Sequence, residues 1–233
     1  MMRSDDQGGL LRRPFVLGAG LLAMAPFIGR AQAQPQRAAS TPDEALQLLV
    51  EGNARYVANT PRERDFSAGR AMRAAGQAPF AAILGCADSR VAPELAFDQG
   101  AGDLFVVRVA GNFVTPDGLG SLEYGAAVLG TKVILVLGHT ACGAIKATVE
   151  ALQKGNTLPG HIASLVRDMK PGLQPALVRA GDDLEARATI ANVRHNVKRL
   201  QTAQPILAKM VAKKSLLIAG GVYDLSTGKV TLV

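Results

Sequence analysis

Four short apolar runs, residues 80–84, 104–109, 133–137 and 216–219, constrain this chain more than any other feature. Each is four to six residues long and bounded by Gly or charge, with apolar side chains at both odd and even positions. A strand with one wet face would alternate, so these runs read as strands buried on both faces, the condition of a parallel sheet covered by helices. Helical stretches separate them: 119–129, 141–153, and 184–210 broken at Pro205. Strand–helix alternation predicts an α/β fold, a mostly parallel sheet of about four strands flanked by helices. Residues 220–224 read as a turn and 228–233 as a closing antiparallel edge strand. Upstream, Thr41-Pro42-Asp43-Glu44 sets a capping hydroxyl, a first-turn Pro and acids at a helix start. That helix would run to about Asn59. Residues 60–78 are polar, Arg-rich and broken by Gly and Pro, an extended arm or loop without a core of its own.

The N-terminal residues read as an address rather than as fold. Arg12-Arg13 precede the apolar stretch 15–29, and Ala31-Gln32-Ala33 has the small-residue pattern of a cleavage site. The stretch is shorter than a membrane span and interrupted by Gly and Pro; an uncleaved anchor is the alternative. The paired arginines resemble the twin-arginine signature, which implies export of a folded cargo to the periplasm. The expected division is 1–33 as export signal, 34–78 as helix and arm, and 79–233 as catalytic domain. Removing the signal lowers the net charge from +7 to about +5, and no basic run carries interleaved aromatics. Nucleic acid is therefore not an expected partner, nor is stable membrane insertion once the signal is gone.

Two cysteines occur, Cys86 directly after the first apolar run and Cys142 shortly after the third, with His139 three residues before it. Two thiolates and one imidazole make a three-ligand zinc set with one open position, the catalytic rather than the closed structural type. In open α/β sheets functional groups gather past the carboxyl ends of strands, where Cys86 and His139 both fall. The backbone N–H groups of a helix opening at Gly143 and Ala144 would help keep Cys142 a thiolate. Asp88 and Arg90, two apart, can form a carboxylate–guanidinium pair. The bland alternatives are a Cys86–Cys142 disulfide in an exported protein and a surface ion pair.

The segments Cys86-Ala87-Asp88-Ser89-Arg90 and His139-Thr140-Ala141-Cys142-Gly143 resemble those of β-class carbonic anhydrases, with the plant-type branch the better match. The resemblance spans from the helix near Thr41 to the last strand, essentially the whole mature chain, and includes 102–108 and 121–125. It implies Cys86, His139 and Cys142 as ligands of one Zn2+ per chain. Asp88 and Arg90 would be the catalytic dyad, with Asp88 a possible fourth ligand in an inactive state. Gln77, Phe105, Tyr124 and Gly143 would line the substrate pocket, with Val91 adding to an apolar wall. It further implies reversible hydration of carbon dioxide to bicarbonate by a zinc-bound hydroxide, in a homodimer or homotetramer whose subunits exchange pocket residues. Thr140 stands where Ser is frequent and Val109 where Asn is common. With no Trp in the chain, the Trp-containing bicarbonate pocket of another branch is missing. His161 and His195 lie far from either motif and read as surface or helix residues. Rival readings are hydrolysis of carbonyl sulfide or carbon disulfide on the same zinc site, a non-catalytic zinc-binding paralogue, and a redox or disulfide-stabilised exported protein.

Overall fold

The computed structural model describes residues 39–178, 181 and 183–233; the expected export signal, 1–33, lies outside these residues. Helix α1 (Pro42–Val57) opens as its sequence dictates. The Thr41 hydroxyl accepts from Glu44 N at 3.2 Å while Glu44 Oε2 accepts from Thr41 N at 3.2 Å, a reciprocal capping box. The chain continues through α2 (Arg70–Ala75), β1 (Ala81–Gly85), α3 (Pro93–Ala96), β2 (Leu104–Arg108), α4 (Pro116–Ala127) and β3 (Val133–His139). Then follow α5 (Gly143–Lys154), α6 (Ile162–Leu177), α7 (Leu184–Gln201), α8 (Leu207–Ala212), β4 (Leu217–Tyr223) and β5 (Val230–Leu232). The sheet order is β2-β1-β3-β4-β5. The first four strands are parallel and β5 runs antiparallel to β4, the α/β architecture expected.

Both faces of the sheet are covered, which is why its strands lack alternation. Ala81, Ile83, Val133, Leu135 and Leu137 face α1 and α3, packing with Leu49 and Phe97. Ala82, Leu84, Ile134 and Val136 face the other way, against Leu122 of α4, Val193 and Leu200 of α7 and Leu207 of α8. A third cluster gathers α5, α6 and α7 beside Cys86 and Cys142. The chain passes from β1 to β2 on one side and then to β3 on the other. This makes the carboxyl ends of β1 and β3 the topological switch point, the usual crevice of such sheets.

Three expectations are corrected and one element is added. The 60–78 arm is not wholly extended, because α2 forms within it. Gly220 and Gly221, read as a turn, lie inside β4. A Cβ on Gly220 would stand 2.6 Å from Val193 Cγ1, so the glycine serves the close approach of α7, and the turn comes later, where Asp224 Oδ1 accepts from Ser226 N and Thr227 N. Helix α4 starts three residues before the expected 119, capped by Thr115 Oγ1 on Gly118 N at 3.0 Å. Helix α6 was not anticipated, since Pro171 and Pro175 lie inside it. Its face Met169, Leu173 and Ala176 is buried, and that tertiary packing outweighs the local cost of proline.

The arm is tied down through one buried carboxylate. Asp98 receives Arg55 Nε at 2.5 Å, Arg64 Nη1, and the backbone N–H of Arg62 at 3.3 Å. Among the described residues no helix is long and apolar enough to cross a membrane.

Candidate metal centre

Strands β1 and β3 are direct neighbours with Gly85 level with Leu137. Cys86, the next residue after β1, and His139, the last of β3, therefore emerge side by side. The chain then turns through Ala141, which holds a positive φ of 51°, and delivers Cys142 as the N-cap of α5. The ligand atoms of Cys86, His139 and Cys142 lie within 4.8 Å of one another and all three residues are buried. Both cysteines are free, with their sulfurs 4.0 Å apart.

The donor set fits a thiophilic, imidazole-accepting cation, and His139 makes the case. Its Nδ1 faces the Thr140 carbonyl at 2.9 Å; a carbonyl only accepts, so Nδ1 carries the proton and Nε2 the lone pair. That Nε2 is buried without a hydrogen-bond partner, an orphan acceptor aimed at the two sulfurs and costly unless a cation takes it. Gly111 N donates to Cys86 Sγ at 3.3 Å, and the first N–H groups of α5, at Ala144 and Ile145, favour the Cys142 thiolate. In the metal-free pair, the hydrogen bond from Cys142, together with His139 and against burial, brings Cys86 down to about 4. Sharing with Cys86, and then burial, pushes Cys142 up. The two sulfurs thus hold one proton and one charge until a cation replaces the proton. Two buried thiolates and a neutral imidazole are the chemistry of a tetrahedral zinc site with one position left for solvent or substrate.

The dyad forms as its spacing suggested. Arg90 grips Asp88 in a fork, Nε to Oδ1 at 2.9 Å and Nη2 to Oδ2 at 2.8 Å, and its own backbone N–H adds a bond to Oδ1 at 2.9 Å. Arg90 is itself steadied by the Ala141 carbonyl at 3.2 Å. The Arg90 fork holds the Asp88 carboxyl well below the usual carboxylate range, and Asp88 Oδ2 stands 3.7 Å from His139 Nε2. A permanently ionised acceptor thus sits beside the three ligand atoms.

The pocket residues divide. Gly143 is exposed next to Cys142, with open space where a Cβ would stand, and Val91 is buried on the loop after the dyad. Phe105 and Tyr124 pack on each other, ring centroids 6.4 Å apart. Phe105 is level with Ala82, roughly 10 Å back along the sheet from the Arg108–Gly85 level at about 3.3 Å per residue. Gln77 is exposed and precedes β1, at the opposite end of the strand from Cys86. Within one chain these three do not join the metal cluster. His161 is exposed before α6 and His195 half-buried on α7, a surface and a helix residue, and neither is in the cluster of Cys86, His139 and Cys142.

Sequence reasoning missed three supports. Gly111 reaches Cys86 from the loop after β2. Thr140 locks the ligand loop onto the chain's end, its N–H on Tyr223 O at 2.9 Å and its Oγ1 accepting from Leu225 N at 3.0 Å. Arg108 bonds the carbonyls of Cys86, Asp88 and Val91. The signal for the last was present, since Arg108 is the single charge in the run 104–109. Val109, the departure noted above, packs half-buried against the cluster around Phe113 and Cys142.

Comparison with known proteins agrees with this geometry. The family model described as carbonic anhydrase matches residues 81–230. Carbonic anhydrase 2 of Mycobacterium tuberculosis is 42% identical over 197 residues, 83% of this chain and 93% of that protein. A solved β-carbonic anhydrase of Coccomyxa, in complex with acetazolamide, superposes with a TM-score of 0.64 at 31% identity, covering 72% of this chain and 77% of that one. One of the tetrameric β-carbonic anhydrases of Sordaria macrospora shares the fold at 24% identity and a TM-score of 0.62, over 71% and 86% of the two chains. With the ligand triad, the dyad and the sheet order in place beside these matches, the chain belongs to the β-class carbonic anhydrase family of zinc enzymes.

Proposed function

We propose that this protein catalyses the reversible hydration of carbon dioxide to bicarbonate and a proton. The observation that carries the reading is the ionised Asp88 carboxylate, fixed by Arg90, beside the Cys86–His139–Cys142 triad. These three residues would hold Zn2+, which supplies a water acidified toward neutral pH. Asp88 accepts a hydrogen bond from the attacking water species and so aims its lone pair at the carbon. Arg90 keeps that carboxylate ionised and unable to act as a donor. Val91 and the backbone around Gly143 shape the near wall for a small apolar substrate.

A second copy of the chain completes the pocket in this reading. Tyr124 is 47% exposed, and Phe66 and Met72 of the arm are exposed apolar side chains. Gln77, Phe105 and Tyr124, which do not reach their own chain's metal cluster, would approach the partner's across an interface formed by the arm, in a dimer or a tetramer. The plant-type branch and delivery to the periplasm by residues 1–33 belong to the same proposal. Their support is the motif set and Arg12-Arg13 with the small-residue site after them.

The test is stopped-flow carbon dioxide hydration across pH on metal-quantified protein, with sulfide release from carbonyl sulfide and carbon disulfide measured in parallel. Hydration at one zinc per chain with negligible sulfide release is the expected result. Zinc-loaded protein inactive on carbon dioxide but active on carbonyl sulfide or carbon disulfide would replace the substrate; inactivity on all three would make it a zinc-binding paralogue.

A further inference from the structure

Arg108 ends the edge strand β2 and points all of its observed bonds at one loop. Nε donates to the Cys86 carbonyl at 2.8 Å, and Nη2 donates to the Asp88 carbonyl at 2.6 Å and the Val91 carbonyl at 2.9 Å. One planar group thereby holds the main chain of a metal ligand, of the dyad carboxylate and of the wall residue. Among the described residues no carboxylate pairs with it. Its charge is therefore directed to carbonyl dipoles beside a carboxylate and a pair of sulfurs that share one negative charge.

The loop has other ties. Val91 N bonds Asp88 O at 3.1 Å, Ala87 N bonds Val109 O at 3.3 Å, and Arg90 N bonds Asp88 Oδ1 at 2.9 Å. Those bonds are local or reach β2 at a single point, and they are enough to shape the turn. Gly111 N holds the Cys86 sulfur and the Ala141 carbonyl holds Arg90, but among the described residues Arg108 is the one side chain that bonds the carbonyls of 86, 88 and 91 together. A lysine at this place would keep the charge but offer an ammonium in place of the flat fork that two directions of approach require.

We propose that Arg108 is a positioning residue of this site: its guanidinium sets the spacing between Cys86 and the Asp88 carboxylate. It acts on metal affinity through Cys86 and on turnover through Asp88, without touching substrate. The turnover half rests on the carbon dioxide hydration reading above; the metal half does not.

The experiment uses the mature protein and the variants Arg108→Lys, Arg108→Met and Arg108→Ala, with circular dichroism and thermal midpoints recorded for each. The first readout is Zn2+ affinity of the metal-free, reduced protein by competition with a chromophoric chelator. Arg108→Met is expected to bind zinc about 10–100-fold more weakly, the usual loss on removing a group that orients a ligand, and Arg108→Lys to fall between it and wild type. The second is kcat against KM at saturating zinc, where kcat falls about 10–100-fold and KM stays within about twofold, the pattern of an interaction realised in the transition state. The third is rescue of Arg108→Ala by millimolar guanidinium, which restores affinity and kcat where methylammonium does not. Wild-type zinc affinity in folded Arg108→Met overturns the proposal. So do losses that track a lowered thermal midpoint and resist guanidinium, because those mark a strand cap and nothing more. If Arg108→Met and Arg108→Ala do not fold, Arg108→Lys decides: unchanged affinity and kcat overturn the role, and a loss in both supports it. Should wild type bind zinc yet hydrate no carbon dioxide, the function fails while the affinity and rescue measurements still judge Arg108.

Discussion

Replacing Asp88 with Asn isolates the orienting carboxylate from everything else at the site. Asp88 Oδ1 accepts from both the Arg90 backbone N–H and Nε, while Oδ2 accepts from Nη2 and faces His139 Nε2 at 3.7 Å. An Asn that keeps its oxygen where Oδ1 was must place its NH2 where Oδ2 was, opposing an Arg90 donor and offering a donor on the metal side. Reversing the amide sacrifices two Arg90 bonds instead. The first orientation loses the acceptor that aims the attacking water, and the second keeps only a neutral amide oxygen there with two fixing bonds gone, so kcat is expected to fall on the order of 100-fold, the lower range for a positioned proton acceptor. Stability should hardly change, since the Arg90 side chain is 54% exposed and solvent screens the pair. Zinc should remain at one per chain, because the three ligand atoms are untouched. The pH profile should keep its shape while losing height, since the Arg90 fork keeps wild-type Asp88 ionised well below the usual carboxylate range. Stopped-flow hydration with a pH indicator, run beside metal analysis and thermal melts, measures all four. Turnover within threefold of wild type at equal zinc content would refute the reasoning, as would a loss of zinc that accounts for the loss of rate.

Zinc loading should release protons. At pH 8 the metal-free sulfurs share one, because Cys86 titrates at about 4 and Cys142 is pushed up, so about one proton leaves per zinc. Burial pushes His139 down, but the adjoining Cys86 sulfur and its negative charge hold it above its ordinary value. A second proton is therefore expected as pH falls through that raised value, with apparent affinity dropping in step; calorimetry in buffers of different ionisation enthalpy counts the protons, and a count of zero contradicts the shared-proton pair. Asp98→Asn leaves Arg55 and Arg64 facing a neutral amide. With the carboxylate 1% and the guanidinium groups 22% exposed, about 2 kcal/mol is expected, less than a fully buried pair would lose, or roughly 4–8 °C in melting temperature. Burial opposes the shift, but Arg64 and Arg55 hold Asp98 below its ordinary value. That stabilisation is present above about pH 3.9 and lost as pH falls through the folded value, so wild type and variant should converge in acid melts. Gly138→Ala would set a Cβ 2.8 Å from Val193 Cγ2 and 3.1 Å from Thr189 Cγ2. Pushing α7 off β3 next to His139 is expected to destabilise by about 1–3 kcal/mol, measured by urea denaturation; a neutral result would mean that α7 yields freely.

Much of this molecule is written locally. The unalternating runs specify strands buried on two faces, Thr41 and Glu44 specify the start of α1, and the triad and dyad are legible because a cation and a carboxylate fork demand particular atoms at short spacings. What escaped was set by neighbours distant in sequence. Pro171 and Pro175 argue against a helix, yet α6 exists because Met169, Leu173 and Ala176 find an apolar surface. Gly220 and Gly221 look like a turn until α7 is seen pressing on the first and Val230 of β5 on the second. Arg108 looks like a stray charge in a strand, and only the β1–β2 register brings it under the carbonyls of Cys86 and Asp88. The placement of Gln77, Phe105 and Tyr124 away from their own metal cluster is likewise a matter of register and sheet order. The chain by itself determined which donor atoms and which carboxylate fork the site offers, since ligand type and helix or strand period are short-range properties. Tertiary structure alone decided which backbone stands beside which, because that depends on how buried surfaces hundreds of atoms apart come to share one core.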